Sequence, residues 1–169
     1  MKSTDVFKVN GPWRGELSIS ARPRGADWLP DELQAWRAAG IDMIVSLLTP
    51  AETADLELDS EAPESMRQGL EFISFPIEDR SVPHSISEVF GLVGRLSEAL
   101  GRGRRVNVHC RQGIGRAPLI AVALLVDKGL DPKRAVDLVS SGRGVPIPET
   151  PEQRLWIDQF AAAIQQPQR

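Results

Sequence analysis

The stretch Val106-Asn107-Val108-His109-Cys110-Arg111-Gln112-Gly113-Ile114-Gly115-Arg116 determines how the rest of the chain is arranged. An alternating apolar run enters it, two glycines allow a tight turn, and the apolar segment 117–126 follows, so we predict a strand, a loop and a helix. A loop that leads into a helix N-terminus directs backbone N–H groups and the positive end of the helix dipole toward one small space. Such a space binds a tetrahedral oxyanion. Cys110 at its base and Arg116 at its far end supply a nucleophile and a cationic clamp.

The remaining sequence alternates strand and helix patterns. Strands are predicted at 17–21 (a short edge strand), 42–48, 71–75 and 105–109, with helices starting near Pro30, Pro50, Pro63, Ile86, Arg116, Pro132 and Pro151. The first dozen residues are expected to be loosely held, and the acidic segment 52–64 to be a solvated helix face. This pattern predicts one α/β domain over residues 1–169, with its core at about 17–160 and a central, mostly parallel sheet flanked by helices.

Composition narrows the class of protein. The chain has 169 residues and a net charge of −3, which does not favour a nucleic-acid binder with a clustered basic face. It contains no apolar run of membrane-spanning length, and Met1-Lys2-Ser3-Thr4-Asp5 does not begin a signal peptide. A single cysteine cannot form an intramolecular disulfide. We therefore expect a cytoplasmic, monomeric protein that binds neither nucleic acid nor membrane.

The chemistry of the loop follows from its residue types. A cysteine at a helix N-terminus, near an arginine, is expected to have a lowered pKa and to react as a thiolate. Arg116 offers a planar fork of donors that matches two phosphoryl oxygens. Gly113 and Gly115 are expected to adopt positive φ and to let the backbone approach the anion. His109 is expected on the opposite side of the strand, where a hydrogen bond would hold the loop. The alternatives without a function are an inert core cysteine and a surface arginine. The combination of Cys110, Arg116 and the glycines between them, at this spacing, favours a phosphate-ester hydrolase.

Phosphoryl transfer also requires a proton for the leaving oxygen. Asp79, in the loop that follows the strand at 71–75, is the favoured general acid, with Glu78 as the rival. Hydrolysis of the resulting phosphocysteine needs a positioned water, for which Gln153 is the candidate, balanced against an ordinary surface glutamine. His84 has no second ligand beside it in sequence, so no metal site is predicted.

The segment 109–116 matches the HCxxGxxR signature of the cysteine-based protein tyrosine phosphatases, and 75–83 resembles the general-acid loop of their dual-specificity branch. The resemblance implies the phosphatase fold, phosphorylated protein substrates, and a two-step reaction without metal or cofactor. In that reaction Cys110 forms the thiophosphate, Asp79 acts first as acid and then as base, and Gln153 holds the water. It also implies that Arg111, Gln112, Gly113, Ile114, Gly115 and Arg116 bind the phosphate.

One position departs from this family pattern. Ala117 stands where most members carry a serine or threonine whose hydroxyl assists departure of the thiolate, so slower breakdown of the intermediate is expected. Three alternatives stay open. They are a phosphoinositide or inositol phosphate phosphatase, a sulfurtransferase that carries a persulfide on Cys110, and a weakly active pseudophosphatase that binds phosphoproteins. The first would favour extra lysines in the loop, and the second would leave Asp79 without a role.

Overall fold

The computed structural model describes residues 3–166. The strands are β1 (Val6–Val9), β2 (Glu16–Ser20), β3 (Met43–Ser46), β4 (Glu71–Ser74) and β5 (Arg105–His109). The helices are α1 (Leu29–Ala38), α2 (Pro50–Asp55), α3 (Glu61–Arg67), α4 (Ile86–Gly101), α5 (Arg116–Asp127), α6 (Pro132–Arg143) and α7 (Pro151–Ile164), with a short 3₁₀ turn at Ala26–Trp28 before α1.

The strands form one sheet in the order β1-β2-β5-β3-β4. β2, β5, β3 and β4 are parallel, and β1 pairs antiparallel with β2, so the predicted mostly parallel sheet is confirmed. β5 lies in the middle, and its last residue, His109, is in register with Ser20 on β2 and Ser46 on β3. The loops after these strands therefore leave the sheet at one edge, where ligand sites on such sheets collect.

Helix α5 forms the centre of the hydrophobic core. Every residue from Ala117 to Val126 is buried, because the sheet covers one side of the helix and α4, α6 and α7 cover the others. Helix α1 packs against the opposite face of the sheet, so β3 is buried along its whole length, as its apolar sequence predicts. Within residues 3–166, no helix combines the length and the apolar character needed to cross a membrane.

The local helix signals in the sequence are confirmed. Thr49, Ser85, Asp131 and Thr150 each precede a helix and accept a backbone N–H from its first turn. Thr49 completes a capping box, because the Glu52 side chain accepts the Thr49 N–H in return. Each cap contributes about 1 kcal/mol to stability.

The prediction for the N-terminal residues is wrong. Residues 6–9 form β1, which takes the edge position expected of β2 and moves β2 into the sheet. Val9 is buried in register with Leu17, and the ring of Phe7 lies 4.1 Å below the Arg143 guanidinium of α6. The core therefore begins before residue 17, because β1 is held by α6 as well as by β2.

The prediction of a solvated acidic face at 52–64 is also wrong. Glu52, Glu61 and Glu64 are buried, whereas Asp55 and Asp59 are exposed. Each buried carboxylate has a cationic or polar partner, since an unpaired buried charge would cost several kcal/mol. The three glutamates are therefore structural elements of the interior.

The packing of α6 on β1 leads to a test of stability. A Cβ at Gly142 would lie 2.5 Å from the carbonyl oxygen of Lys8, so Gly142→Ala should lower the free energy of unfolding by about 1–3 kcal/mol. The matched control is Gly94→Ala in α4, where a Cβ would have no atom of residues 3–166 within 4 Å apart from the backbone of its own helix, so alanine should stabilise the helix by about 0.5–1 kcal/mol. Urea denaturation of both variants measures the difference, and equal effects would show that α6 does not hold β1 closely.

Candidate active site

Cys110 follows β5 directly and lies in the wall of a cavity of about 80 Å³. Its thiol is 3% exposed, and the N–H of Gly113 points at Sγ, 3.2 Å away. Gly113 has φ +76°, as predicted, and a Cβ there would lie 2.7 Å from the carbonyl carbon of Ser20. The loop therefore curls around the sulfur and needs a glycine at its turn.

Gly115 has a different role from the one predicted. Its φ is −123°, so the expectation of positive φ is wrong at this position. A Cβ on Gly115 would lie 2.6 Å from Oε1 of Glu149 and 3.0 Å from Nε2 of Gln153. The absence of a side chain lets these two polar groups approach the loop closely.

Arg116 begins α5 and is almost fully buried. Its Nη1 donates to Oε1 of Glu52 at 2.7 Å and to the carbonyl of Ile77 at 2.7 Å, and its Nη2 donates to Oε2 of Glu52 at 2.9 Å. This two-point ion pair fixes the plane of the guanidinium. Glu52 comes from α2, 64 residues earlier in the chain.

Burial and pairing act in opposite directions on this ion pair. Burial alone would raise the pKa of Glu52, but the hydrogen bonds from Arg116 and Thr49 outweigh it and hold that pKa below its ordinary value. Burial would likewise lower the pKa of Arg116. Glu52, Cys110 and Asp79 outweigh that effect and raise the pKa of Arg116. Both side chains therefore stay charged at neutral pH.

The general-acid candidate lines the same cavity and contacts Arg116. Oδ1 of Asp79 accepts from Nη2 of Arg116 at 2.9 Å, and the carboxylate keeps contact with solvent. Asp79 lines the cavity, whereas Glu78 does not. Arg80, with φ +60°, turns the chain between Asp79 and Ser81. Of the two adjacent carboxylates, Asp79 is the one that the fold brings to Cys110 and Arg116.

Gln153 is buried next to this loop. Its Nε2 donates to the carbonyl of Ser81 at 2.9 Å, so α7 holds the acid loop in place. Its Oε1 is buried, with no hydrogen-bond partner within residues 3–166. Glu149, four residues earlier, lines the cavity and lies 3.5 Å from Nη1 of Arg80. The role of Gln153 in holding water stays a prediction.

The other predicted loop residues divide between the inside and the outside of the cavity. Gln112, Ile114 and Gly115 line it together with Arg116. The Arg111 side chain is exposed and lies 3.8 Å from Oε2 of Glu52. His84 is exposed, and within residues 3–166 no group of three or more His, Cys, Asp or Glu side chains could hold a metal ion.

His109 is buried on the opposite side of β5 from the cavity, as predicted. Nδ1 of its ring lies 3.3 Å from the carbonyl oxygen of Cys110, and Nε2 lies 2.7 Å from Oε2 of Glu61. The imidazole thus contacts the backbone of the loop.

The sequence interpretation missed four side chains that build this site: Glu52, Glu61, Arg143 and Glu149. Arg143 ends α6, and its Nε and Nη2 donate to the carbonyls of Gly113 at 3.1 Å and Gln112 at 3.4 Å. Its cationic head therefore holds the loop from outside. Only Glu52 carried a sequence signal, because the capping-box spacing from Thr49 placed it in the first turn of α2.

Comparison with known proteins identifies similar chains. A model of the family described as polymorphic toxin system, DSP-PTPase phosphatase, matches residues 20–130. The putative tyrosine phosphatase 197R of Invertebrate iridescent virus 6 is 33% identical over 143 residues, which cover 80% of this chain and 50% of the viral protein. Cyclin-dependent kinase inhibitor 3 of Rattus norvegicus is 24% identical over 126 residues, 73% of this chain and 59% of the rat protein.

The chain spans between 50% and 60% of the length of the curated relatives it matches. Among solved structures, kinase-associated phosphatase with serine in place of its catalytic-site cysteine superposes with a TM-score of 0.88. That structure is 19% identical, with 97% of each chain covered, so the likeness concerns the fold.

The Arg116–Glu52 pair predicts a specific dependence of stability on pH. Because the pKa of Glu52 is lower in the folded chain than its ordinary value of 4.5, folding gains stability from it above about pH 4.5. This gain is lost as the pH falls through the lower folded value. Glu52→Gln should reduce the free energy of unfolding by about 3 kcal/mol at pH 7, and the difference from wild type should shrink below about pH 4.

Urea unfolding at a series of pH values measures this difference. Asp55→Asn, at the exposed end of the same helix, is the matched control and should change the free energy of unfolding by less than about 0.5 kcal/mol. A Glu52→Gln deficit that is constant from neutral to acid pH would contradict the assignment.

Proposed function

We propose that this chain, which belongs to the family of DSP-PTPase phosphatases of polymorphic toxin systems, hydrolyses phosphate monoesters on proteins through a cysteinyl-phosphate intermediate. The observation that carries the proposal is the meeting of Cys110, Arg116 and Asp79 in one cavity. Nucleophile, anion clamp and carboxylate come from two loops at the same edge of the sheet. This arrangement is the minimum that phosphoryl transfer to a thiolate requires.

In the first step, phosphoryl oxygens bind the backbone N–H groups of the loop and the guanidinium of Arg116. Asp79 already occupies Nη2 of Arg116, so a phosphoryl oxygen competes with this carboxylate for the donor. The thiolate of Cys110 then attacks phosphorus, the P–O bond to the substrate breaks, and protonated Asp79 gives its proton to the departing oxygen.

In the second step, water attacks the phosphocysteine, the S–P bond breaks, and the electron pair returns to the sulfur. Asp79 accepts the proton of the water. Gln153, held against Gly115 and Ser81, is the proposed water-holding residue, and its unpartnered Oε1 supports that role. Ala117 is buried and offers no hydroxyl to the departing thiolate, so this second step is proposed to limit turnover.

The shape of the cavity bears on the substrate class. The cavity volume of about 80 Å³ is small, which suits a compact group such as a phosphoryl group. A small site of this kind suits phosphoserine and phosphothreonine as well as phosphotyrosine, so we propose dual specificity toward phosphorylated proteins. We further propose a monomer in the cytoplasm, where the single thiol would stay reduced.

The first activity test uses an aryl phosphate with a chelator and no added metal. Wild type should be active, and Cys110→Ser should be inactive, since the alcohol is a far weaker nucleophile at neutral pH. Asp79→Asn should lower kcat about 10²-fold or more by removing the proton donor. The same change should tighten binding of inorganic phosphate about threefold, because a negative charge 2.9 Å from Nη2 is removed.

Glu78→Gln is the matched control and should stay within about twofold of wild type, because Glu78 is not among the residues that line the cavity. A loss of activity in Glu78→Gln with retention in Asp79→Asn would move the acid by one residue. Full activity in Cys110→Ser would contradict the mechanism. Activity on inositol phosphates but not on phosphopeptides would favour a phosphoinositide or inositol phosphate phosphatase, and binding of phosphopeptides without turnover a pseudophosphatase.

The proposed slow step leads to a separate prediction for Ala117. If breakdown of the phosphocysteine limits turnover, wild type should show a pre-steady-state burst of product. Ala117→Ser should then raise kcat about fivefold, the equivalent of one hydrogen bond to the thiolate of about 1 kcal/mol. Ala121→Ser, one turn further along α5 and equally buried, controls for the cost of burying a hydroxyl. Equal changes in kcat for the two variants would show that a different step is limiting.

A further inference from the structure

Glu61 is a buried carboxylate for which phosphoryl transfer has no evident use. It lies at the start of α3 and is 2% exposed, and its partner is Nε2 of His109 at 2.7 Å. His109 is fully buried. An isolated carboxylate in this position would cost several kcal/mol, so the contact with His109 is what makes the burial of Glu61 possible.

The imidazole of His109 is fixed on three sides. Glu61 contacts Nε2, the carbonyl oxygen of Cys110 lies 3.3 Å from Nδ1, and the ring of Trp36 packs against it at 6.2 Å between centroids. Trp36 is fixed in turn, because its Nε1 donates to the carbonyl of Thr4 at 3.0 Å. Both ring nitrogens of His109 therefore lie within hydrogen-bond distance of an oxygen atom, which fixes the orientation of the ring.

The contact with the Cys110 carbonyl matters because a peptide group is planar and trans. The C=O of Cys110 and the N–H of Arg111 belong to one peptide plane and point in opposite directions. A carbonyl directed at His109, outside the cavity, therefore directs the N–H of Arg111 toward the anion side.

The same relation holds two peptide groups further along the loop. Arg143 holds the carbonyl of Gln112 from outside, and the N–H of the same peptide, that of Gly113, points at Sγ of Cys110. The carbonyl between them, that of Arg111, accepts from the backbone N–H of Arg22 at 3.3 Å. The carbonyl groups of the loop are thus held by contacts outside the cavity. Its backbone N–H groups are left to bind the anion.

We propose that Glu61 is a positioning residue that acts through His109 to direct the N–H of Arg111 at the thiolate and at the bound phosphate. Without Glu61, the imidazole of His109 is free to rotate and no longer holds the carbonyl oxygen of Cys110. The N–H of Arg111 then no longer points at the thiolate. The inference rests on the proposed function only in taking Cys110 as the nucleophile. It predicts properties of the thiol and of anion binding that need no turnover.

The test compares two buried carboxylates of α3. Glu61→Ala should slow alkylation of Cys110 by iodoacetamide at neutral pH about tenfold and weaken binding of inorganic phosphate to a similar degree, as expected for one charge-assisted hydrogen bond. Cys110 is the only cysteine of the chain, so the alkylation rate reports this thiol alone. Glu64→Ala is the matched control, because Glu64 is 6% exposed and pairs with Arg67 and Gln68 on its own helix. Glu64→Ala should lower the thermal midpoint. It should leave the rate of Cys110 alkylation and the affinity for inorganic phosphate within about twofold of wild type.

Two further variants separate positioning from a loss of stability. Glu61→Gln keeps an oxygen that can accept from Nε2 and should restore alkylation and phosphate binding to within about threefold of wild type. In a His109→Gln background, Glu61→Ala should change both properties by less than about twofold, because its effect passes through the imidazole. Equal slowing in Glu61→Ala and Glu64→Ala, or an undiminished effect without His109, would overturn the proposal.

If the chain turned over no phosphate ester, the proposed function would fail while these measurements of thiol reactivity still tested Glu61. Conversely, an active enzyme whose Cys110 alkylates normally in Glu61→Ala would overturn the inference and leave the proposed function intact.

Discussion

The two-point ion pair between Arg116 and Glu52 is the constraint on which the rest of the site depends. A guanidinium that is 1% exposed is tolerable in a protein interior only if its charge is compensated and its donors are used. Glu52 does both, and the carbonyl of Ile77 takes a further donor. The pair also joins α2 to the start of α5. It therefore fixes the position of the loop that carries Cys110 relative to the loop that carries Asp79.

Four carboxylates, those of Glu52, Glu61, Asp79 and Glu149, lie in or near the proposed anion site, and free negative charge there would repel a phosphate. The structure resolves this because each carboxylate contacts a cation or an imidazole: Arg116, His109, Arg116 again, and Arg80. The carboxylates therefore orient donors and do not face the phosphate with free charge. Asp79 differs from the other three in that its side chain is 47% exposed.

Local sequence information accounts for most of the fold and for the residues of the loop. Periodicity placed the parallel strands and the helices, and cap residues such as Thr49 and Thr150 marked their starts, because these signals depend on neighbours within four positions. The glycines, Cys110 and Arg116 could be recognised as one anion-binding loop for the same reason, since they are close together in the sequence. The four residues of β1 were missed, since their stability comes from pairing with β2 and from packing against α6, which is distant in sequence.

The supporting side chains could not be predicted in the same way. An acidic stretch looks the same whether it faces solvent or reaches His109 and Arg116, and the partners lie 48 and 64 residues away. Which of Glu78 and Asp79 reaches the cavity depends on the turn at Arg80. Arg80 has a positive φ, which the local sequence did not predict.

The bond from Gln153 to the carbonyl of Ser81 ties the loop that carries Asp79 to a helix that is distant in sequence. Cys110, Arg116 and Asp79 all lie within residues 20–130, the part that the family model matches, whereas α7 lies outside it. The restraint on the Asp79 loop therefore comes from beyond the matched segment. A substitution in α7 that removes this bond can loosen the Asp79 loop without changing any residue of the loop that follows β5.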